Sequence, residues 1–498
     1  MNRVRSRRTF TPLDPQAAAA VRPGYVLLVN LLAAWLTAFM TTSINIALPS
    51  IQTEFHLGAV ALGWLPLAYV LASAVFQLPF AKVGDRIGRR LLFLGGLVVF
   101  GISSVTMVFA DSYAPLVVLR ITQGVGGAMI FSTSMAMVTL AYPPGRQGWA
   151  MGLSVAAAYL GQTTGPLLGG VIVYNIGWRN LFLVAGCFAF FSLGLDLWLL
   201  RRAEWKEARY VGFDWIGSAL YATGLVMALL GLSWLPLAEG LVLFAIGLGG
   251  LAIFGWWETR ARSPIMVLSL FRNRVFAFSN LTALISYASV WAVTYLTSLY
   301  LQFIKGLNAQ TAGLVLIVGV ALQCLLSPFG GRLSDRIEPR WVASGGMALC
   351  VVGLLLLSFL GAGTPYWYII VALCFLGLGY AFFSGPNQSS IMGSVERRYV
   401  GFASASVSTV RMIGQAVSIA IATLIMAVIV GRHDIRPADY PQLLTAMRIT
   451  FAILTGLCAL GVMASLVRGP MPVQEPELVT EPERVTEPAP VREQAPAE

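Results

Sequence analysis

The sequence predicts an all-α membrane protein, with fourteen transmembrane helices arranged as two six-helix halves plus a two-helix insert. Three observations carry that reading. The 498 residues are 57% hydrophobic and 11% charged, against about 45–50% apolar in an ordinary soluble domain. Apolar runs near or above the ~20 residues that cross a bilayer recur along almost the whole chain. One block of sequence then returns about 250 residues later, nearly in register.

Residues 1–23 form a basic arm with Arg3, Arg5, Arg7, Arg8 and Arg22. Its SRRTF stretch lacks the apolar core of an export signal, so the arm reads as a cytoplasmic anchor. The first half, 24–208, holds apolar runs at 24–48, 61–82, 91–110, 115–139, 149–173 and 180–200. The insert, 209–260, holds 213–233 and 240–258. The connector and second half, 261–468, hold 277–303, 312–331, 342–361, 367–392, 401–431 and 444–467. The connector PIMVLSLFRNR (Pro264 to Arg274) has helical periodicity with basic flanks, which suit either a helix along the membrane interface or a simple connector. From 469 to 498 Pro, Glu and Thr replace the apolar residues, as in a disordered cytoplasmic tail.

The repeat pairs PFAKVGDRIGRR (from Pro79) with PFGGRLSDRIEPR (from Pro328). It also pairs GWAMGLSVAAAYLGQ (from Gly148) with GFASASVSTVRMIGQ (from Gly401). Two parallel six-helix halves around a midplane site are a recurring transporter plan. The pair at 213–258 lies outside the duplicated block and is expected at the periphery, off any central site.

The net charge of +11 is a topology signal. Roughly 26 of the 33 Lys and Arg fall in alternate connections, as the positive-inside rule expects. That places both termini in the cytoplasm of a plasma-membrane protein and removes the case for nucleic acid. The five cysteines show no CxxC or CxxH spacing, so neither a metal site nor a disulfide framework is indicated. No GxxxxGK[ST] phosphate loop and no hydrolytic or redox constellation is present, so an enzyme is not expected and no cofactor is implied.

Scarce charges are concentrated in GDRIGRR, where Asp85 can pair with Arg86, Arg89 or Arg90, and Gly84 and Gly88 allow a tight turn. The second copy retains Asp335 and Arg336. In LRITQGVGGAM, Arg120 lies one turn into an apolar run, with Gly124 and Gly127 on its face and Gln123 beside it. A charge within a span usually faces a cavity or a partner. Arg411, with Gly414, Gln415 and Ser418, is a similar case. In GQTTGPLLGG, Gly161, Gly165 and Gly169 form a stripe for close helix packing, and Pro166 adds a bend point. Asn45, Gln77, Gln162, Tyr295, Gln302, Asn387 and Gln388 are candidates to line a cavity; singly, each is more often an interhelical hydrogen bond.

Taken in order, GDRIGRR, LRITQGVGGAM and GQTTGPLLGG resemble the motifs of the major facilitator superfamily over about residues 24–467. With fourteen spans, the chain resembles its fourteen-helix drug:proton antiporter branch. The resemblance implies that GDRIGRR is a gate lying near the start of the helix that begins around Gly401. There Asp85 would gain about 0.3–1 kcal/mol from the helix dipole. It implies a cavity or coupling role for Arg120 and conformational switching for the glycine stripe. The implied activity is alternating-access movement of an amphipathic small molecule, drug-like efflux by default, with protons as candidate coupling ions. The alternatives are an exporter of a lipid-like or anionic metabolite, or a membrane sensor that does not transport.

One position departs from the branch. Where L-D-x-T-x-V-N-V-A-L-P is usual, this chain reads FMTTSINIALP, Phe39 to Pro49, with Met40 at the Asp position. Asp196, Glu54, Asp111, Glu239 and Glu258 all sit near helix ends or in loops. A cavity with arginines and no acid is expected to favour neutral or anionic amphiphiles.

Overall fold

The computed structural model describes residues 22–143, 146–201, 212–235, 237–261, 264–334, 336–396, 400–431 and 433–469. Most of the basic arm, the tail from 470, and Asp335 lie outside the described residues. The first half comprises α1 (Pro23–Phe55), α2 (Ala59–Ile87), α3 (Arg89–Met107), α4 (Tyr113–Ala141), α5 (Gln147–Ile176) and α6 (Trp178–Leu199). Next come α7 (Trp215–Trp234) and α8 (Ala238–Glu258). The chain continues through α9 (Arg274–Val290), α10 (Ala292–Leu299), α11 (Ala309–Ser334), α12 (Pro339–Ser358), α13 (Tyr366–Gly393), α14 (Val400–Ile429) and α15 (Tyr440–Val467). Among the described residues, thirteen helical stretches are long and apolar enough to cross a membrane, with α9 and α10 counted as one, Arg274–Ile304. The 30-residue α5 is as long as these but diluted by glycine and polar residues.

Helices overrun the apolar windows because the backbone ladder continues past the first polar side chain; α1 runs through Pro49 to Phe55. The connector forms a short 3₁₀ turn, Leu268–Arg272, and hands over to α9 at Asn273, whose Oδ1 accepts from Val275 N at 2.9 Å. This is a capped turn rather than a surface helix.

Packing follows small residues. α1 lies along α5, and α4 against α2 and α3; in the second group α13 packs on α11 and α12. The two groups meet along α2–α14 and α5–α11. A Cβ on Gly63 would stand 2.2 Å from Thr423 Oγ1, one on Gly170 2.6 Å from Ala309 O, and one on Gly313 2.2 Å from Pro166 O. These close approaches all lie at the end away from GDRIGRR. Towards the GDRIGRR end the groups are bridged by side chains, with Tyr159 and Ser384 hydroxyls 2.7 Å apart and Arg411 over the Phe131 ring at 5.6 Å. α7 and α8 pack on each other through Gly224, Gly231 and Gly247. Tyr221 Oη donates to Ala74 O of α2 at 2.9 Å. Most of α8 is left exposed, as a lipid-facing helix would be.

Two prolines free carbonyls that other helices take up. Pro49 has no N–H for Asn45 O, which accepts instead from Ser298 Oγ at 2.8 Å. Pro166 likewise frees Gln162 O, which Thr42 Oγ1 reaches at 3.3 Å. Between α9 and α10 the chain breaks at Trp291, and Ala292 N donates to Ser418 Oγ at 2.9 Å. A π-turn, Tyr300–Ile304, follows and brings Gln302 Nε2 to Ile46 O at 3.2 Å. All these irregularities surround one place.

Candidate functional site: a central cavity and its gate

That place is a cavity with about 730 Å³ of empty space, its open mouth included. α1 contributes Thr42 and Asn45, and α5 contributes Gln162. Tyr287, Val290, Trp291, Val293 and Thr294 come from the broken α9–α10. α11 supplies Leu316, Gly319, Val320 and Gln323; α13 supplies Leu373, Leu376, Gly377 and Tyr380. No carboxylate is among these residues, and none of them comes from α7 or α8. Three wall atoms are buried without a hydrogen-bond partner: Asn45 Oδ1, Gln323 Nε2 and Tyr380 Oη. Walls of this character suit an amphiphile that stacks on aromatics and satisfies amides.

Arg411 stands beside the wall. It lies near the Tyr69, Tyr159 and Tyr380 hydroxyls, and its Nε is buried without a partner. The acids expected at helix ends are engaged elsewhere. Glu54 pairs with Arg179 at 2.6 Å and accepts from Trp178 Nε1 at 2.7 Å. Asp196, fully buried, accepts from Arg90 Nε at 2.7 Å. Met40 is fully buried and off the cavity wall, with Ser43 Oγ 4.0 Å from its sulfur. An acid there would sit inside the helix packing.

The GDRIGRR segment is the end of α2, a one-residue turn and the start of α3. Gly88 has φ +118°, a conformation side chains rarely adopt, and its N–H closes α2 on Gly84 O at 3.0 Å. Gly84 is buried against α4, where an added Cβ would meet Thr133 Cγ2 at 3.1 Å. Asp85 accepts from Arg89 at 2.9 and 2.6 Å. Arg90 turns inward to Asp196, and Arg86 points outward. In the second copy Arg336 is exposed.

The sequence profile of the Major Facilitator Superfamily matches residues 31–279 and 279–496. The chain belongs to the major facilitator superfamily. Its similar proteins include the multidrug resistance protein Stp of Mycobacterium tuberculosis, 32% identical over 80% of this chain and 76% of that one. The riboflavin transporter RibZ of Clostridioides difficile is 26% identical over 89% and 96%. The tetracenomycin C resistance and export protein of Streptomyces glaucescens is 26% identical over 86% and 80%. Such relatives agree with the drug:proton antiporter branch. Among solved structures, a D-xylose-proton symporter aligns with a TM-score of 0.64 at 15% identity, covering 90% of this chain and 98% of that one. A bacterial homologue of the human lysosomal transporter Spinster aligns at 0.61 and 17%, covering 90% and 97%. At these identities the two share the fold.

Within this superfamily member, Arg120 is fully buried and lies off the cavity wall. Nε donates to Leu65 O at 3.1 Å, Nη1 to Gln123 Oε1 at 2.6 Å, and the guanidinium covers the Tyr69 ring at 4.8 Å. Gln123 Nε2 continues to Ser104 Oγ at 2.7 Å. The pair thus ties α4 to α2 and α3, because Gly124 lets α2 approach so closely that a Cβ would lie 2.5 Å from Tyr69 O. Arg120 has no carboxylate partner among the described residues.

Gly161, Gly165 and Gly169 all face α1: added Cβ atoms would stand 2.3 Å from Trp35 O, 2.0 Å from Thr42 Oγ1 and 2.9 Å from Ser43 Cβ. The stripe packs within its own half. The contact between halves lies one residue round the helix, where Pro166 and Gly170 meet α11.

Sequence reasoning missed Tyr287, Trp291, Gln323 and Tyr380 on the wall. Tyr287, Trp291 and Thr294 fall at i, i+4 and i+7, one helix face, and that spacing was the available signal. Other cavity candidates serve packing: Tyr295 donates to the sulfur of Met426, and Asn387 accepts from Arg468 Nη1 at 3.1 Å.

Proposed function

We propose that this protein moves uncharged or anionic aromatic amphiphiles out of the cell by alternating access. In this reading α5 is the fourteenth span, six helices form each half, and α7–α8 is a peripheral insert. Both termini lie in the cytoplasm. The observation that carries the reading is the cavity: aromatic and amide walls, unpaired polar atoms, no acid, and Arg411 as the neighbouring charge. A permanent cation would meet no counter-ion there. Efflux follows from the names of relatives that resist or export drugs; the riboflavin transporter shows that a similar chain handles a neutral, polar aromatic.

The closed contacts through Gly63, Gly170 and Gly313 are those of one conformer. With Asp85 held by Arg89, the contact of Asp85 with the start of α14 belongs to the opposite conformer, where it acts as a latch.

Arg411→Gln tests the site. In proteoliposomes, transport of carboxyfluorescein should fall by about tenfold, as expected for one lost hydrogen bond to a charged group. Transport of riboflavin should change little. Equal losses for both probes would remove Arg411 from substrate recognition.

A further inference from the structure

Glu258 ends α8, outside the duplicated halves, and the cavity makes no use of it. Its side chain is 4% exposed. Oε2 accepts the Met266 amide at 2.9 Å, while Oε1 is buried with no partner. Asp214, the N-cap of α7, crowds the same spot. A Cβ on Gly217 would stand 2.8 Å from Glu258 Oε1 and 2.6 Å from Asp214 Oδ2. Asp214 is itself well supplied with donors: Gly217 N reaches Oδ1 at 2.8 Å, and Trp257 Nε1 reaches the two oxygens at 3.1 and 2.9 Å. Among the described residues, the charged groups that act on Glu258 are Asp214 from α7 and Lys82 from α2, and the connector adds the N–H groups of Ile265 and Met266. Lys82 stands three residues before Asp85 of the gate.

We propose that Glu258 is a proton-binding site through which the insert sets the position of the gate helix α2. Two carboxylates around one glycine, with one oxygen buried and undonated, are held together at low cost only if Glu258 carries a proton. That proton, taken from cytoplasmic water on the proposed topology, rests on Glu258 Oε1 and gives the oxygen the donor function it lacks as an anion. Its return to water leaves a buried anion on which Lys82 of α2 acts as a cation. Drawing Lys82 in moves α2 relative to α8. Because α2 packs against α14 across the two halves, that movement changes the contact between them. Nothing but the proton is transferred. The insert, unexplained by the cavity, thereby gains a role in a chain whose first helix has no acid at Met40.

Infrared difference spectroscopy of the full-length protein in liposomes, titrated with pH, tests the site without any substrate. A protonated-carboxyl band should appear in the unaltered protein and vanish in Glu258→Gln, which keeps an acceptor for the Met266 amide. A Val320→Cys reporter on the cavity wall should change its rate of labelling by about tenfold across the titration, the effect of one pK unit of coupling. In Glu258→Gln that rate should be flat. Lys82→Met should keep the band but lose the response. A band that persists in Glu258→Gln, or labelling that follows pH equally in both proteins, would overturn the proposal. These readouts do not depend on the substrate, so the function proposed above can fail while this stands, and the reverse.

Discussion

Replacing Asp196 by Asn is expected to destabilise the folded protein by about 3–5 kcal/mol, the range for breaking a buried pair by removing one charge. Asp196 is fully buried and Arg90 is 8% exposed. Each charge lies at the unfavourable end of its own helix: Arg90 in the first turn of α3, Asp196 in the last turn of α6. They are tolerated because they meet, Nε to Oδ1 at 2.7 Å, with Nη2 also reaching the Asp196 carbonyl at 3.3 Å. Removing the anion leaves a guanidinium in the packing at the positive end of α3. The apparent melting temperature in detergent should fall steeply, and Arg90→Met with Asp196→Leu should recover much of the loss, since both charges then leave together. Melting of Asp196→Asn indistinguishable from the unaltered protein would show that the pair bears little of the fold.

The second large effect is conformational. At Gly313 a Cβ would stand 2.2 Å from the Pro166 carbonyl oxygen, a backbone atom that cannot rotate away. Gly313→Val should therefore force α11 from α5 and open the end that is closed here. A Val320→Cys reporter should then react about tenfold faster with an impermeant thiol reagent applied from that side, a shift of roughly 1.4 kcal/mol in the equilibrium. Gly331→Val is the control: it lies on the same helix with nothing within 4 Å of an added Cβ. Equal reactivity in the two variants would mean that the α5–α11 contact does not gate access.

How much of this was legible depends on what one sequence encodes locally. The spans were visible because a bilayer demands long apolar helices with their backbone bonds satisfied internally. The duplicated block was visible as repeated loops. Spacing showed that Gly161, Gly165 and Gly169 share a face, but not which helix fills it; α1 and α11 were equivalent until the chain was folded. Arg90 looked like one more loop charge, because its partner Asp196 is 106 residues away. The cavity aromatics were harder to see. In a membrane span, Tyr287 and Trp291 look like any packed or lipid-facing ring, and the break between α9 and α10 that turns them inward rests on Ser418, far along the chain. Pro166 was visible as a bend point, yet the helices that claim the carbonyls freed by it and by Pro49 were not.

Selection by charge is the central claim, and one flux measurement bears on it directly. The unaltered protein is reconstituted in liposomes under an imposed pH gradient and offered tetraphenylphosphonium, a permanent cation, or riboflavin, which is neutral. A cavity with no acid on its wall and Arg411 beside it should move riboflavin and leave tetraphenylphosphonium at the rate of empty liposomes. Gradient-driven accumulation of tetraphenylphosphonium well above that rate would contradict the account.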